Sequence, residues 1–170
     1  RGFKLRLPLD IQFVFTANPE DYTNRGSIVT PLKDRIESQI LTHYPKDIVT
    51  SKEITLQEAQ LSDSQKKNVT GHELIENLLE QIAFEARSNE FVDPKSGVSA
   101  RLTISAYETI FSAAERRMII NGESKTHIRI SDFWGIIPSI TGKIELVYEG
   151  EQEGAMIVAQ NLISKSIRFQ

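Results

Sequence analysis

The chain contains no cysteine, which excludes disulfides and thiolate metal centres. It has no apolar run approaching a membrane span and no signal-peptide pattern, so an interior, cytoplasmic protein is the expectation. Positive charge is not in excess. Lys and Arg number 20 against 23 Asp and Glu, for a net charge of −3. A nucleic-acid module shows a clear basic surplus, so none is expected here. Internal repeats and low-complexity segments are missing. So is a phosphate loop of the form G-x-x-x-x-G-K-[ST]: "GESKT" and "TGKIE" come near, but Ile137 stands five residues before Gly142. No apolar strand ends in Asp-Glu to hold Mg²⁺, and no serine or carboxylate arrangement suggests nucleophilic or acid–base catalysis. His43, His72 and His127 have no ligand spacing and read as surface or structural residues.

What remains is an ordinary globular composition, 39% hydrophobic and 25% charged over 170 residues. That length suits one domain, or one domain and a piece of another. The ends, "RGFKLRLPLD" and "SKSIRFQ", read as cuts through a longer protein.

Residues 1–16 read as β-rich: "FKLRL" alternates, and Phe13-Val14-Phe15 is a continuous apolar run of the kind buried in a parallel sheet. Residues 17–30 read as loop. "PLKDRI" opens on Pro31, which suits the first turn of a short helix, and "SQILTHY" reads as a short strand. From Pro45 the chain turns helical. "KDIVTSKEITLQEAQ" predicts a helix and "SDSQKKN" a polar linker. "TGHELIENLLEQIAFEAR" predicts a strong helix, with a Thr70/Glu73 capping box and an apolar stripe of Leu74, Ile75, Leu78, Leu79, Ile82 and Ala86. After a turn at "DPKSG", "SARLTISAYETIFSAAERRMII" predicts a second strong helix, capped by Ser99 and ended by Asn121-Gly122. "SDFWGIIPSI" reads as a short helix broken near Pro138, "GKIELVY" as strand or helix, and "EGAMIVAQNLISKSI" as a final amphipathic helix.

Three side chains stand out. Asn18 follows an apolar strand, and ligands of open α/β sheets sit outside the carboxyl ends of strands. Its amide could meet a phosphate oxygen or orient a water, or it could simply turn the chain before Pro19. Arg35 presents a planar fork suited to phosphate, or a surface pair with Asp34 worth little. Arg101 falls in the first turn of a strong helix, where a cation opposes the helix dipole at about 0.3–1 kcal/mol. A bound anion would reverse that sign; a solvated, screened arginine is the plain alternative. Arg116-Arg117, near a helix C-terminus, read as a solvated face.

Their order is the informative part. A strand ending in Asn18-Pro19-Glu20, a loop to "PLKDRI" and a helical unit containing "SARLTISAYE" resembles the C-terminal half of an AAA+ ATPase module of the magnesium chelatase subunit I and MoxR-like group. The likeness covers residues 9–43 and 96–119, and thins over 120–170. The opening hairpin-like "RGFKLRLPLD" is similar to an insertion before the sensor-1 strand of that group. The resemblance implies that Asn18 is sensor 1, that Arg35 is an arginine finger acting on ATP held by an adjacent subunit, and that Arg101 is sensor 2, contacting nucleotide from the lid. Arg25 could be a further interface arginine. Ile36 departs from the group's usual Phe, and Thr30 stands where chelatase subunits often have Arg.

The expected fold is therefore mainly α with a small α/β portion: residues 1–43 as the last part of a P-loop α/β core, and 44–170 as a helical lid with a C-terminal extension. The resemblance further implies a parent that binds ATP and Mg²⁺, forms a homo-oligomeric, hexameric ring, and remodels a protein client or inserts metal with a partner subunit. The piece itself, without Walker A and Walker B, is expected to hold no cofactor and to be inactive alone. The competing reading is a non-catalytic helical protein-interaction module.

Overall fold

A computed structural model describes residues 10–16 and 35–168. The chain divides into two units, Arg1–Ile40 and Leu41–Gln170. In the first, the described residues 10–16 and 36–40 are neither helix nor strand, and Arg35 lies in a turn. The expected strand through Phe13–Phe15 and the strand "SQILTHY" do not form among the described residues. A strand exists only through ladder hydrogen bonding to a neighbour, and among the described residues no such pairing involves these segments. The Phe13 and Phe15 rings stack at 6.1 Å, both exposed to solvent. The helix expected from "PLKDRI" lies largely outside the described residues.

The second unit is mainly helical. Its order is α1 (Ile48–Glu58), α2 (Asp63–Asn68), β1 (Val69–Thr70), α3 (Glu73–Arg87), α4 (Arg101–Ile120), β2 (Thr126–His127), a 3₁₀ segment Ile130–Ile136, α5 (Ile137–Thr141), α6 (Tyr148–Glu153) and α7 (Ala155–Arg168). β1 and β2 pair in parallel, Val69 opposite Thr126 and Thr70 opposite His127. The sheet component is thus two short strands inside the helical unit.

The core follows the helical periodicity. Leu78, Leu79, Ile82, Ala83 and Ala86 of α3 are buried with Leu102, Ala106, Ile110, Phe111 and Ala114 of α4 and Val158, Ala159, Leu162 and Ile163 of α7. Helix α3 packs on α7, α1 and α4. Of the expected α3 stripe only Leu74 is outside the core, 42% exposed in the first turn.

Three local expectations change. The Thr70/Glu73 capping box is absent, because Thr70 is drawn into β1, where its carbonyl accepts from Ile128 N–H at 3.0 Å. His72 caps α3 instead, its Nδ1 accepting from Leu74 N–H at 3.1 Å. The linker "SDSQKKN" is helix α2, with a reciprocal Ser62/Gln65 capping box. It is tied to α4 through Ser64–Glu115 at 2.9 Å and Gln65–Ser112 at 3.1 Å. "GKIELVY" is neither helix nor regular strand. It makes one antiparallel bridge, Val92 to Leu146, then enters α6.

The C-terminus of α4 closes as expected. Gly122 takes φ +68, Glu123 N–H reaches Met118 carbonyl at 2.9 Å, and Gly122 N–H reaches Ile119 carbonyl at 3.1 Å. Arg117 is not a solvated residue, contrary to its reading from sequence. Its Nε and Nη2 grip Asp132 at 3.0 and 2.9 Å, Nη1 donates to Thr126 Oγ1 at 2.9 Å, and Nη2 donates also to the His127 carbonyl at 2.8 Å. The hydrogen bonds that Arg117 donates to Asp132 raise its pKa further. Asp132, buried, also accepts Arg129 N–H at 2.8 Å. One ion pair thereby fixes α4, β2 and the 3₁₀ segment together. Arg116, its neighbour, is exposed.

Two substitutions test this packing. Asp132→Ala leaves the Arg117 guanidinium without its carboxylate and should cost about 2–4 kcal/mol, read as a lowered urea midpoint. A Cβ on buried Gly150 would lie 2.5 Å from the Phe91 carbonyl oxygen. Gly150→Ala should therefore cost about 1–3 kcal/mol by overpacking; a wild-type midpoint would mean that the α6 contact is loose.

Candidate functional site

The first turn of α4 carries Arg101, one of the three side chains that stand out in the sequence. Chain enters it through Gly97, at φ +68, a conformation side chains with a Cβ rarely adopt. The Tyr44 hydroxyl occupies the space a Cβ would need there. Val98 is buried, and its carbonyl accepts from Arg87 Nε at 3.1 Å. Ser99 Oγ accepts Arg101 N–H at 3.3 Å, so Ser99 serves the helix start one residue before the formal cap, Ala100. Thr103 Oγ1 lies 3.0 Å from the Ala100 carbonyl.

Arg101 itself is exposed at the first helical position. Among the described residues no carboxylate pairs with it, and no acidic residue occupies the first turn. Arg35 is exposed in the first unit. Asn18 and Arg25 lie outside the described residues.

Behind the turn is a buried polar cluster that the sequence reading missed. Glu80 of α3 is 1% exposed. Ser51 Oγ donates to its Oε2 at 2.5 Å, and Thr55 Oγ1 lies 2.6 Å from its Oε1. Thr55 Oγ1 is 2.8 Å from Thr103 Oγ1. Burial raises the Glu80 pKa, against the pull of Ser51, Thr55, Arg87 and Lys52. Ser51 and Thr55 are the only buried residues of α1. This helix therefore docks by hydroxyl groups rather than hydrocarbon. The signal was present, as two hydroxyl residues four apart on one helix and a glutamate inside the apolar face of another.

Arg87, at the end of α3, lies over the Tyr44 ring at 4.8 Å and the Phe84 ring at 5.1 Å. Its two terminal nitrogens are buried with no hydrogen-bond partner among the described residues. Burial lowers its pKa, with Tyr44 and Glu80 opposing.

The remaining candidates are structural. His43 Nδ1 contacts the Tyr44 carbonyl at 2.9 Å, His72 caps α3 and His127 pairs in β2. Among the described residues no cluster of three or more His, Asp or Glu could hold a metal ion, and no helix is long and apolar enough to cross a membrane. A shallow groove of about 270 Å³ runs between α4 and the 3₁₀ segment, lined by Arg116, Ile120, Asn121, Ser131 and Gly135 among others.

Compared with protein-family models, with curated proteins and with solved structures, the chain matches none of them.

Glu80 makes stability depend on pH with a defined sign. Its folded pKa lies above the unfolded value, about 4.3. Its stabilisation is full below that unfolded value and is lost as pH rises through the folded one. Glu80→Gln has no such loss. The stability of wild type relative to Glu80→Gln should fall as pH rises from about 4 toward neutrality; a difference constant with pH would mean that Glu80 is not perturbed.

Proposed function

We propose that this chain is the sensor and lid part of an AAA+ ATPase of the magnesium chelatase subunit I and MoxR-like group. The observation that carries the reading is Arg101: an exposed cation on the first turn of a 20-residue helix, against the dipole, with no acidic residue in that turn. A phosphate placed there would be attracted by the helix N-terminus and the guanidinium together. The order of Asn18-Pro19-Glu20, Asp34-Arg35 and Ser99-Ala100-Arg101 along the chain supports the same assignment. In the proposed parent, ATP with Mg²⁺ is held by Walker segments outside this sequence. Asn18 orients the attacking water, Arg35 reaches the nucleotide of a neighbouring subunit, and Arg101 reads nucleotide state from the lid. Coupling of hydrolysis to client remodelling or metal insertion belongs to the same proposal, as do the ring and the cytoplasmic location.

A second reading rests on a surface. Ile119, Ile120, Ile130 and Trp134 are all exposed around the α4 C-terminus and the 3₁₀ segment, and such apolar exposure suits a protein-interaction module that needs no nucleotide.

ATP turnover and nucleotide binding in the full-length parent separate the two. Arg35→Ala should remove most turnover, since arginine fingers supply ~10³–10⁵-fold in rate, and leave binding near normal. Retention of more than about a tenth of the wild-type rate sinks the arginine-finger assignment. A parent without any turnover leaves the interaction module standing.

A further inference from the structure

The cluster behind the α4 first turn poses a question of proton count. Glu80 to Thr55, Thr55 to Thr103 and Thr103 to the Ala100 carbonyl are contacts of 2.6, 2.8 and 3.0 Å in series. Each needs one proton, and the two threonine hydroxyls supply two between them. With Glu80 ionised, Thr55 donates to it, and the single Thr103 proton must serve either Thr55 or the Ala100 carbonyl, so one of these two contacts lacks a proton. With Glu80 protonated on Oε1, the carboxyl donates to Thr55, Thr55 to Thr103, and Thr103 to the Ala100 carbonyl. All three contacts are then hydrogen bonds, while Ser51 donates to Oε2 in either state.

We propose that Glu80 is a proton-operated switch: its protonation makes Thr55 the donor to Thr103 and commits the Thr103 proton to the Ala100 carbonyl, tightening the turn that presents Arg101. The proton taken up by Glu80 comes from solvent, and no covalent bond other than its O–H forms or breaks. Ile104 N–H also donates to the Ala100 carbonyl, at 3.2 Å, so this amide reports on the carbonyl.

The charged surroundings permit the switch. From α1 the facing group is Lys52, whose ammonium is paired with Glu73 at 3.0 Å and Glu76 at 3.9 Å. From α3 itself it is Arg87, two turns on. Helix α4 contributes Thr103 and the buried phenol of Tyr107, while its Arg101 is exposed. Lys165, from α7, is occupied by Glu85 at 2.6 Å. No cation lies within ion-pair distance of the Glu80 carboxylate among the described residues, and its burial raises its pKa. The proposal does not depend on Arg101 binding nucleotide, and its test involves none.

The test is an NMR titration of the 170-residue chain, following the Glu80 carboxyl carbon and the Ile104 amide. The expected result is a common midpoint above the ordinary glutamate range. In Glu80→Gln, whose amide nitrogen donates to Thr55 as the protonated acid does, the Ile104 step should vanish and the amide should hold its low-pH position. In Thr55→Val, Glu80 should still titrate while Ile104 stays still. An Ile104 amide that ignores the wild-type Glu80 titration overturns the proposal, as does an Ile104 step that survives Thr55→Val. A Glu80 that does not titrate between about pH 4 and 9 in the folded chain also overturns it. Should Glu80→Gln fail to fold, the wild-type and Thr55→Val titrations still decide.

Discussion

The burial of helix α3 is the constraint on which the helical unit depends. It packs on α1, α4 and α7, and its buried face is broad enough to include two carboxylates, Glu80 and Glu85, beside five hydrophobic side chains from Leu78 to Ala86. The two kinds of group do different work. Each buried leucine or isoleucine contributes about 1.5–3 kcal/mol and is nearly indifferent to which apolar neighbour covers it. An unpartnered buried carboxylate costs several kcal/mol, and only a neighbour with donors at the right height removes that cost. Glu80 is matched by Ser51 and Thr55 of α1, and Glu85 by Lys165 of α7 and Gln81 of its own helix. Hydrocarbon drives the assembly, and the carboxylates select the register in which α1 and α7 dock.

That division explains what could be read in advance. Helices α3, α4 and α7 announce themselves because their apolar residues recur at helical spacing, and the fold class, mainly α, follows from them. The reason α1 docks could not be read the same way, because its fully buried residues are Ser51 and Thr55 while its Val49 and Leu56 are exposed. The two capping boxes make the same point from opposite sides. Thr70-x-x-Glu73 and Ser62-x-x-Gln65 are equally good signatures. The first lost Thr70 to a strand partner 57 positions away, at His127; the second formed although Gln65 also reaches Ser112, because its Oε1 serves the cap while its Nε2 makes the tertiary contact. A local motif forms only where tertiary contacts leave its capping atoms free. Strands suffer most from this, since "FVF" and "SQILTHY" carry β propensity but pairing depends on a neighbour that no single segment encodes.

The candidate site was legible by position and not by support. Arg101 drew notice because it breaks the dipole rule, and its exposure at the first helical position agrees with that notice. The groups around it, Tyr44, Glu80, Arg87 and Thr103, are scattered from position 44 to 103 and share no spacing. Arg117, by contrast, looked favourable for a helix C-terminus and proved to be a structural ion pair with Asp132. A residue that satisfies a local rule can still be engaged in tertiary structure, and one that violates it raises the question of what offsets the violation.

The question for Arg101 is what that balance is. An isolated arginine at a helix start loses about 0.3–1 kcal/mol and, if solvated, needs nothing around it. Here the backbone is fixed at three successive residues before it and at one after it. Gly97 is held at positive φ against Tyr44, Val98 is held by Arg87, Ser99 caps the Arg101 amide, and Thr103 ties the turn to α1 and α3. Ordering a guanidinium's base this firmly matters little to a side chain that only waves in water. It matters to one that must meet a ligand without losing backbone freedom on binding, because that entropy, about 1–2 kcal/mol per residue, has already been given up in folding. The proposed sensor role asks for such a base, and the plain surface arginine does not.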